Sequence, residues 1–496
     1  MRILILDYSW SKGVLPNKGT FTGTIKMEKL SHDEVSHIVT YLDLASFLQF
    51  GFTCHWNYEL CQSSSAWTHI IKQILQGFSP IEILEGAPFK QKLRHWLTRE
   101  NHAELSIVGS CRLFQPRYIH RSCRLRNSCT REYESYIFGG DYLEGQTLSN
   151  RSDLWKVLVS EATAEITFVP QQLTFNSTTR TRMNFSGGSA SAICSLQGAL
   201  YVFGGIDSSR TFTDQMVRFQ PAETADSWIG SHLPPNPAAN LPDQTPHVTP
   251  AARWGHTLVN AYDSFLVLFG GSCPGKAFGD LWVFRPDQSW LQVKFPANWP
   301  RPAGRSGHGV SVVGDYMYVI GGNNINRNFN DMWTLSLITL YDMLQCPSPD
   351  MFDFGGDHSA LWQCVSSDCA REDGPAARVG HTCTAIGSSI VVYGGRDFHK
   401  RTFHEGVFLF DTEKRKWQNC RRLDRLPHEN EEPLKRTGHV AIPASSGVLY
   451  VGGLAASGRV TNDVLHLNIL GLFPGTHQSG ADFCSESVYT IKEVEV

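Results

Sequence analysis

The sequence has no CxxC pair, no apolar run of membrane-spanning length and no surplus of either charge. Each absence removes a class of protein. The 13 cysteines are scattered, and spacings such as Cys364 to Cys369 do not match zinc ligation. An odd number of dispersed cysteines reads as reduced thiols in a cytosolic or nuclear protein. The opening Met1-Arg-Ile-Leu-Ile-Leu is cut short by Asp7, so it is too brief for the apolar region of an export signal. No window approaches the roughly 20 apolar residues of a membrane span, so no membrane partner is expected. Without an export signal, the sequons at Asn150, Asn176 and Asn184 read as chance matches. A formal net charge of −3 gives no basic surplus for nucleic acid and no acidic surplus for disorder.

What the 496 residues do have is glycine and tryptophan, 43 and 13 of them, within a 41% hydrophobic composition. That combination suits many turns and many large apolar anchors. A double glycine recurs after a short apolar run, at Gly139-Gly140, Gly204-Gly205, Gly270-Gly271, Gly321-Gly322, Gly394-Gly395 and Gly452-Gly453. Downstream of each comes an acidic residue opening a second apolar run: Asp153, Asp214, Asp280, Asp331, Glu405 and Asp463. Four copies share an upstream phrase, Arg253-Trp-Gly-His256, Arg305-Ser-Gly-His308, Arg378-Val-Gly-His381 and Arg436-Thr-Gly-His439. A late tryptophan follows in several, at Trp228, Trp290, Trp362 and Trp417.

One such copy predicts a small antiparallel meander of β-branched and aromatic strands. A lone meander cannot bury both faces, whereas copies stacked around an axis bury them all. Paired glycines allow tight turns close to that axis, and the recurrent Arg, His and Trp are expected to hold blade to blade. The double glycine, the acid-led strand, the late tryptophan and the Arg-x-Gly-His phrase together resemble kelch repeats, over about residues 107–470. The resemblance implies a six-bladed all-β propeller. The first two copies show no clear Arg-x-Gly-His, and the last lacks the late tryptophan. Its closing strand is expected either from Ser487–Val494 or from around Glu104–Leu113. Residues 221–250 and 338–360 read as insertions.

Ahead of the repeats, Val35, Ile38, Val39 and Leu42 recur at helical spacing. Asp43 is placed to cap a second helix carrying Leu44, Phe47, Leu48 and Phe52. Leading Leu30, acidic Glu34, the Leu42-Asp43 step, Thr53-Cys54 and Trp67 complete a succession that resembles an F-box, with Ser31 where that family usually has proline. The resemblance implies docking of a Skp-type adaptor, and through it a cullin, by apolar residues carried over as Leu30, Val35, Ile38, Val39, Leu42 and Leu44. The expected organisation is a multidomain chain. An unstructured lead spans 1–26, a small all-α F-box 27–70, a helical linker 71–106 and an all-β propeller of about six blades 107–496.

The turn after each double glycine carries its own pattern. Four residues before the acidic opener stand Arg210, Lys276, Arg327, Arg401 and Arg459, and two before it Phe212, Phe278, Phe329 and Phe403. The phenylalanines read as structural. The cations read either as solvated loop residues repeated by descent or as a basic rim for an acidic or phosphorylated segment, since guanidinium groups bind such groups through paired charged hydrogen bonds. Gly270 to Lys276 has the spacing of a phosphate-binding loop, but Ala277 offers no hydroxyl and a strand is expected to follow. The repeated histidines stand in different blades, and His399, His404 and Glu405 are not on one helix face. No catalytic residue, metal or cofactor is expected. The reading is a non-catalytic substrate receptor of a Skp-cullin-F-box ubiquitin ligase. The alternatives are a scaffold outside ubiquitination or, further off, a kelch-fold metalloenzyme.

Overall fold

The structure is a computed structural model. It describes residues 104–127, 132–144, 147–160, 163–175, 188–224, 226–233, 249–295, 299–345, 361–404, 406–420, 434–444, 447–468 and 490–492. The segments read as lead and F-box, most of the linker and Gly355-Gly356 lie outside the described residues.

Six antiparallel meanders follow one another along the chain, each innermost strand first. Blade 1 is Arg121–Arg126, Tyr133–Glu144, Thr147–Ser160 and Glu165–Phe175. Blade 2 is Ala192–Leu196, Ala199–Phe203, Met216–Pro221 and Ser227–Leu233. Blade 3 is Thr257–Ala261, Phe265–Phe269, Leu281–Phe284 and Trp290–Val293. Blade 4 is Gly309–Val313, Tyr316–Ile320, Met332–Ser336 and Trp362–Ser366, with the helix Leu337–Gln345 opening the insertion before its last strand. Blade 5 is Thr382–Ile386, Ser389–Tyr393, Val407–Asp411 and Lys416–Cys420.

Blade 6 settles the open question of closure. Its strands Val440–Ala444, Gly447–Ala455 and Val460–Asn468 are completed by Glu104–Ser110, antiparallel with Glu104 opposite Asn468 and Ile107 opposite Leu465. This strand begins three residues inside the segment read as linker. The other candidate also adds a strand, elsewhere. Thr490–Lys492 pairs in parallel with Glu165, Ile166 and Thr167 on the outer edge of blade 1. Blades 1 and 2 also join at their outer strands, where Gln172–Phe175 pairs in parallel with Ser227–Gly230.

The apolar lead-in to each double glycine is the second strand of a blade, buried on both sides. In blade 3, Phe265, Val267 and Phe269 pack with Met317, Val319, Leu335 and Trp362 of blade 4. The alternate residues Leu266 and Leu268 pack with Tyr201, Phe203 and Met216 of blade 2. Side chains alternate across a strand, so a strand between two neighbours must be apolar at every position. That is why the sequence shows a continuous run there. The late tryptophans lie on the preceding blade: Trp362 against Phe269 at 5.1 Å, Trp290 against Phe203 at 5.2 Å and Trp228 against Tyr136 at 5.4 Å.

Candidate functional site

Two rings of backbone hydrogen bonds close the hub. In the first, Ile119 donates to Gly438, Gly438 to Gly380, Gly380 to Gly307, Gly307 to Gly255, Gly255 to Ala190 and Ala190 to Ile119, at 2.7–3.1 Å. All six residues have left-handed φ between 50° and 70°. In the second, the second glycine of each pair donates to the next blade. Gly140 binds Gly188, Gly205 Arg253, Gly271 Arg305, Gly322 Arg378, Gly395 Arg436 and Gly453 Arg117, at 2.8–2.9 Å. Each ring returns to its starting blade, so blade 6 is joined to blade 1 as any two neighbours are. The first glycines explain their own conservation of type within the chain: a Cβ on Gly270 would stand 2.7 Å from the Arg305 carbonyl and 3.0 Å from the His308 ring.

The rings also reveal two phrases that the repeat pattern did not show. Blade 1 uses Arg117-Tyr118-Ile119-His120, with isoleucine where other copies have glycine. Blade 2 uses Gly188-Ser189-Ala190-Ser191, which has neither the arginine nor the histidine. The surviving signal in blade 1 was the Arg-to-His interval. It was masked because the first hairpin is longer, which stretches the distance to the glycines.

The backbone carbonyl of each arginine joins blade to blade as expected, but its side chain works within its own blade. Arg305 is fully buried. Its guanidinium donates to the Gly321 carbonyl at 2.9 Å and grips Asp331 through two bonds, at 2.7 and 2.9 Å. Arg253 does the same with Gly270 and Asp280, and Arg117 with Gly139 and Asp153. Burial pushes these carboxyls up, but the arginine charge and hydrogen bonds outweigh it and hold all three below their ordinary value. In blade 2, where Gly188 replaces the arginine, Asp214 is exposed. Arg378 and Arg436 keep the bond to the first glycine, Gly394 and Gly452.

The histidines do reach across. His308 Nε2 meets the Thr257 hydroxyl at 3.0 Å, His439 Nε2 meets Thr382 at 3.1 Å and His120 Nε2 meets the Val451 carbonyl at 3.1 Å. Burial first, then the adjacent arginine, lowers the pKa of all five repeat histidines, that of His381 to about 3. They are neutral spacers rather than a titrating cluster.

Around this hub the turns after the glycines form a rim, and all five expected cations are exposed there. Their surroundings differ. Arg210 pairs with buried Asp141 of blade 1 at 3.0 Å, and Arg459 pairs with Asp463 at 3.3 Å. Lys276 lies over Phe278 at 5.0 Å and Arg327 over Phe329 at 4.8 Å. The same rings are also contacted by buried Arg253 and Arg305, at 4.1 and 4.2 Å. Phe278 and Phe329 each contact one buried and one exposed cation. Arg401, at φ 55°, makes no ion pair among the described residues. Blades 4 and 5 are tied at this rim by Asn328 donating to Asp397 at 2.8 Å, which sets Arg327 and Arg401 on adjoining turns. The five residues thus share one face, and Lys276, Arg327 and Arg401, on blades 3, 4 and 5, make no ion pair with a carboxylate among the described residues.

Among the described residues no group of three histidines, cysteines or carboxylates is arranged to hold a metal ion. Burial raises the Cys194 and Cys369 thiols to about 12, away from nucleophilic use. No helix among the described residues is long and apolar enough to cross a membrane. Leu30, Val35, Ile38, Val39, Leu42 and Leu44 lie outside the described residues.

Comparison with known proteins agrees with this geometry. The KLHDC2/KLHL20/DRC7 Kelch-repeats domain matches residues 120–347, and the Kelch motif matches residues 377–423. The described region is a kelch-repeat propeller. The chain is 26% identical over 337 residues to rat multiple epidermal growth factor-like domains protein 8, covering 56% of this chain but 11% of that protein. It is 28% identical over 217 residues to an F-box/kelch-repeat protein of Arabidopsis thaliana, covering 42% of this chain and 39% of that one. It is 29% identical over 172 residues to N-(sulfonatooxy)prop-2-enimidothioate sulfolyase of Thlaspi arvense, covering 34% and 41%. The chain thus spans well under two thirds of each of these relatives.

Proposed function

We propose that this chain is the substrate-recognition subunit of a Skp-cullin-F-box ubiquitin ligase. In this reading the segment 27–70 docks the adaptor through Leu30, Val35, Ile38, Val39, Leu42 and Leu44. The propeller rim holds an acidic or phosphorylated segment of the target. The chain makes and breaks no covalent bond; it supplies proximity, presenting a target lysine to the ligase core.

One observation carries the reading: an F-box-like succession of apolar helical positions stands in the same chain as a kelch-repeat propeller. The similarity to an F-box/kelch-repeat protein supports it. The exposed Arg327 and Arg401 on adjoining turns suit phosphate or carboxylate oxygens, because each guanidinium can offer two parallel donors. The remaining relatives carry varied names, an enzyme among them, and are not specific to this reading.

The test is purification of the full chain from cells with its partners identified. Recovery of a Skp-type adaptor and a cullin is expected, and loss of both on Ile38→Asp with Leu42→Asp. A chain that recovers neither is a scaffold outside ubiquitination. Arg327→Glu with Arg401→Glu is expected to release the target while leaving the adaptor bound.

A further inference from the structure

The face opposite the rim carries a second surface, built from hairpin turns of blades 3 and 4. The turn after strand Thr257–Ala261 presents Tyr262 and Asp263, both with left-handed φ, 57° and 54°. The corresponding turn of blade 2 is Gln197-Gly198, both left-handed, and those of blades 4 and 5 use Gly314 and Gly387. A tyrosine in that conformation costs on the order of 1 kcal/mol, so its place in the turn is not explained by backbone preference.

The neighbouring elements hold that tyrosine in position. Its hydroxyl donates to Asp315 Oδ1 at 2.8 Å, in the matching turn of blade 4. The Asp315 carbonyl accepts the amide of Leu337 at 2.8 Å, which fixes the start of the helix Leu337–Gln345 beside it. From that helix Tyr341 meets the Tyr262 ring edge-on at 6.0 Å and stacks on Phe265 at 6.3 Å. Leu337 and Leu340 are buried, and Ile338 and Asp342, one turn apart, point outward.

Tyr262 is 44% exposed and Ile338 43%. Large apolar groups so open, gathered at one corner, mark interaction surfaces rather than core. The charge at this corner has one sign. Asp263, Asp315 and Asp342 are all exposed, and among the described residues none is paired with a lysine, arginine or histidine. Burial, then the bond and charge of Asp315 and the charge of Asp342, raise the Tyr262 hydroxyl to about 12, with no cation opposing them.

We propose that this corner docks a basic protein segment in which lysine or arginine alternates with aliphatic side chains. A cation would lie over the open Tyr262 ring and others reach Asp315 and Asp342, and an aliphatic side chain would cover Ile338. The rim on the other face displays cations, so the two faces suit partners of opposite charge. This inference does not rest on the ligase reading.

The experiment is to pan a displayed library of random peptides, about twelve residues each to span a site of this size, on the full-length chain and on its Ile338→Ser, Asp342→Lys form. Neither side chain supports the fold, so both forms should melt alike. The wild type is expected to enrich Lys/Arg peptides bearing aliphatic residues, and the double variant not to. The best peptide, made synthetically, is expected to bind Asp342→Lys about tenfold more weakly and to weaken with added salt. Enrichment of no basic peptide, or equal enrichment on both forms, overturns the proposal. So does self-association of the wild type that these substitutions abolish, which would assign the corner to a second copy.

Discussion

The amide of Ile119 donates to the carbonyl of Gly438 at 2.7 Å, joining the first blade to the last. The two residues hold the same hub position, yet one is β-branched and the other has no side chain. Their φ values are 50° and 65°, a region that favours glycine.

This difference sets a prediction. Ile119→Gly removes left-handed strain of about 1 kcal/mol and should leave the thermal midpoint equal or higher. Gly438→Ala should lower it, because its Cβ would stand 3.0 Å from both the amide and a side-chain carbon of Ile119. Reversed signs in paired melts would show that the ring does not govern closure.

The Arg305–Asp331 clamp makes a second prediction. Arg305→Met leaves Asp331 facing an apolar group, and Asp331→Asn leaves a fully buried guanidinium without its counter-charge. Each is expected to cost about 3–5 kcal/mol. Asp214→Asn should be neutral, since blade 2 has no arginine to pair with it. Denaturant titration of the three variants separates the two cases.

The buried histidines predict acid sensitivity that begins above the carboxylate range. Above about pH 6.5 they are neutral folded and unfolded, and contribute no slope. Below it the unfolded chain takes up protons that the fold excludes, so stability falls with pH. It continues to fall until the folded histidines titrate, His381 at about 3. Each histidine contributes about 1.4 kcal/mol per pH unit over that window. The Asp153, Asp280 and Asp331 carboxyls, held low in the fold, add to the loss at the acid end. The thermal midpoint should already decline between pH 6.5 and 5, and His256→Gln should make the decline shallower by one histidine's share. A midpoint constant over that interval would contradict neutral burial of these rings.

Closure by the strand Glu104–Ser110 predicts where the propeller opens. Just beyond it, Phe114 is fully buried, stacked on Phe168 of blade 1 at 5.1 Å and edge-on to Trp155 at 5.4 Å. Its cluster also contains Val440, Leu449 and Val464 of blade 6. Phe114→Ala is expected to cost about 3–5 kcal/mol. Amide exchange should quicken first in Val460–Asn468, the strand it would uncover. Uniform acceleration over all six blades would mean that this seam is no weaker than the rest.

The repeat itself was legible without coordinates. The double glycines, the acidic openers and the late tryptophans each answer a demand of one strand or one turn. A strand sandwiched between blades must be apolar throughout, and a left-handed hub turn favours glycine, so both leave marks at fixed spacing. The phrases Arg117 to His120 and Gly188 to Ser191 escaped because partners elsewhere in the chain supply what their sequences omit. Ile119 is held left-handed by Gly438 and Ala190, and Ala190 by Ile119 and Gly255.

By itself, then, the sequence determined the kind of unit and the number of its copies, because those depend on interactions within about forty residues. It also placed Arg210, Lys276, Arg327, Arg401 and Arg459 at equivalent turns. Only the tertiary structure decided that Glu104–Ser110 completes blade 6, that Thr490–Lys492 lies on blade 1, and that Asp141 engages Arg210. These pairings join residues far apart in the chain. Their energy comes from apolar surface and charge brought together across the ring, which no local pattern records.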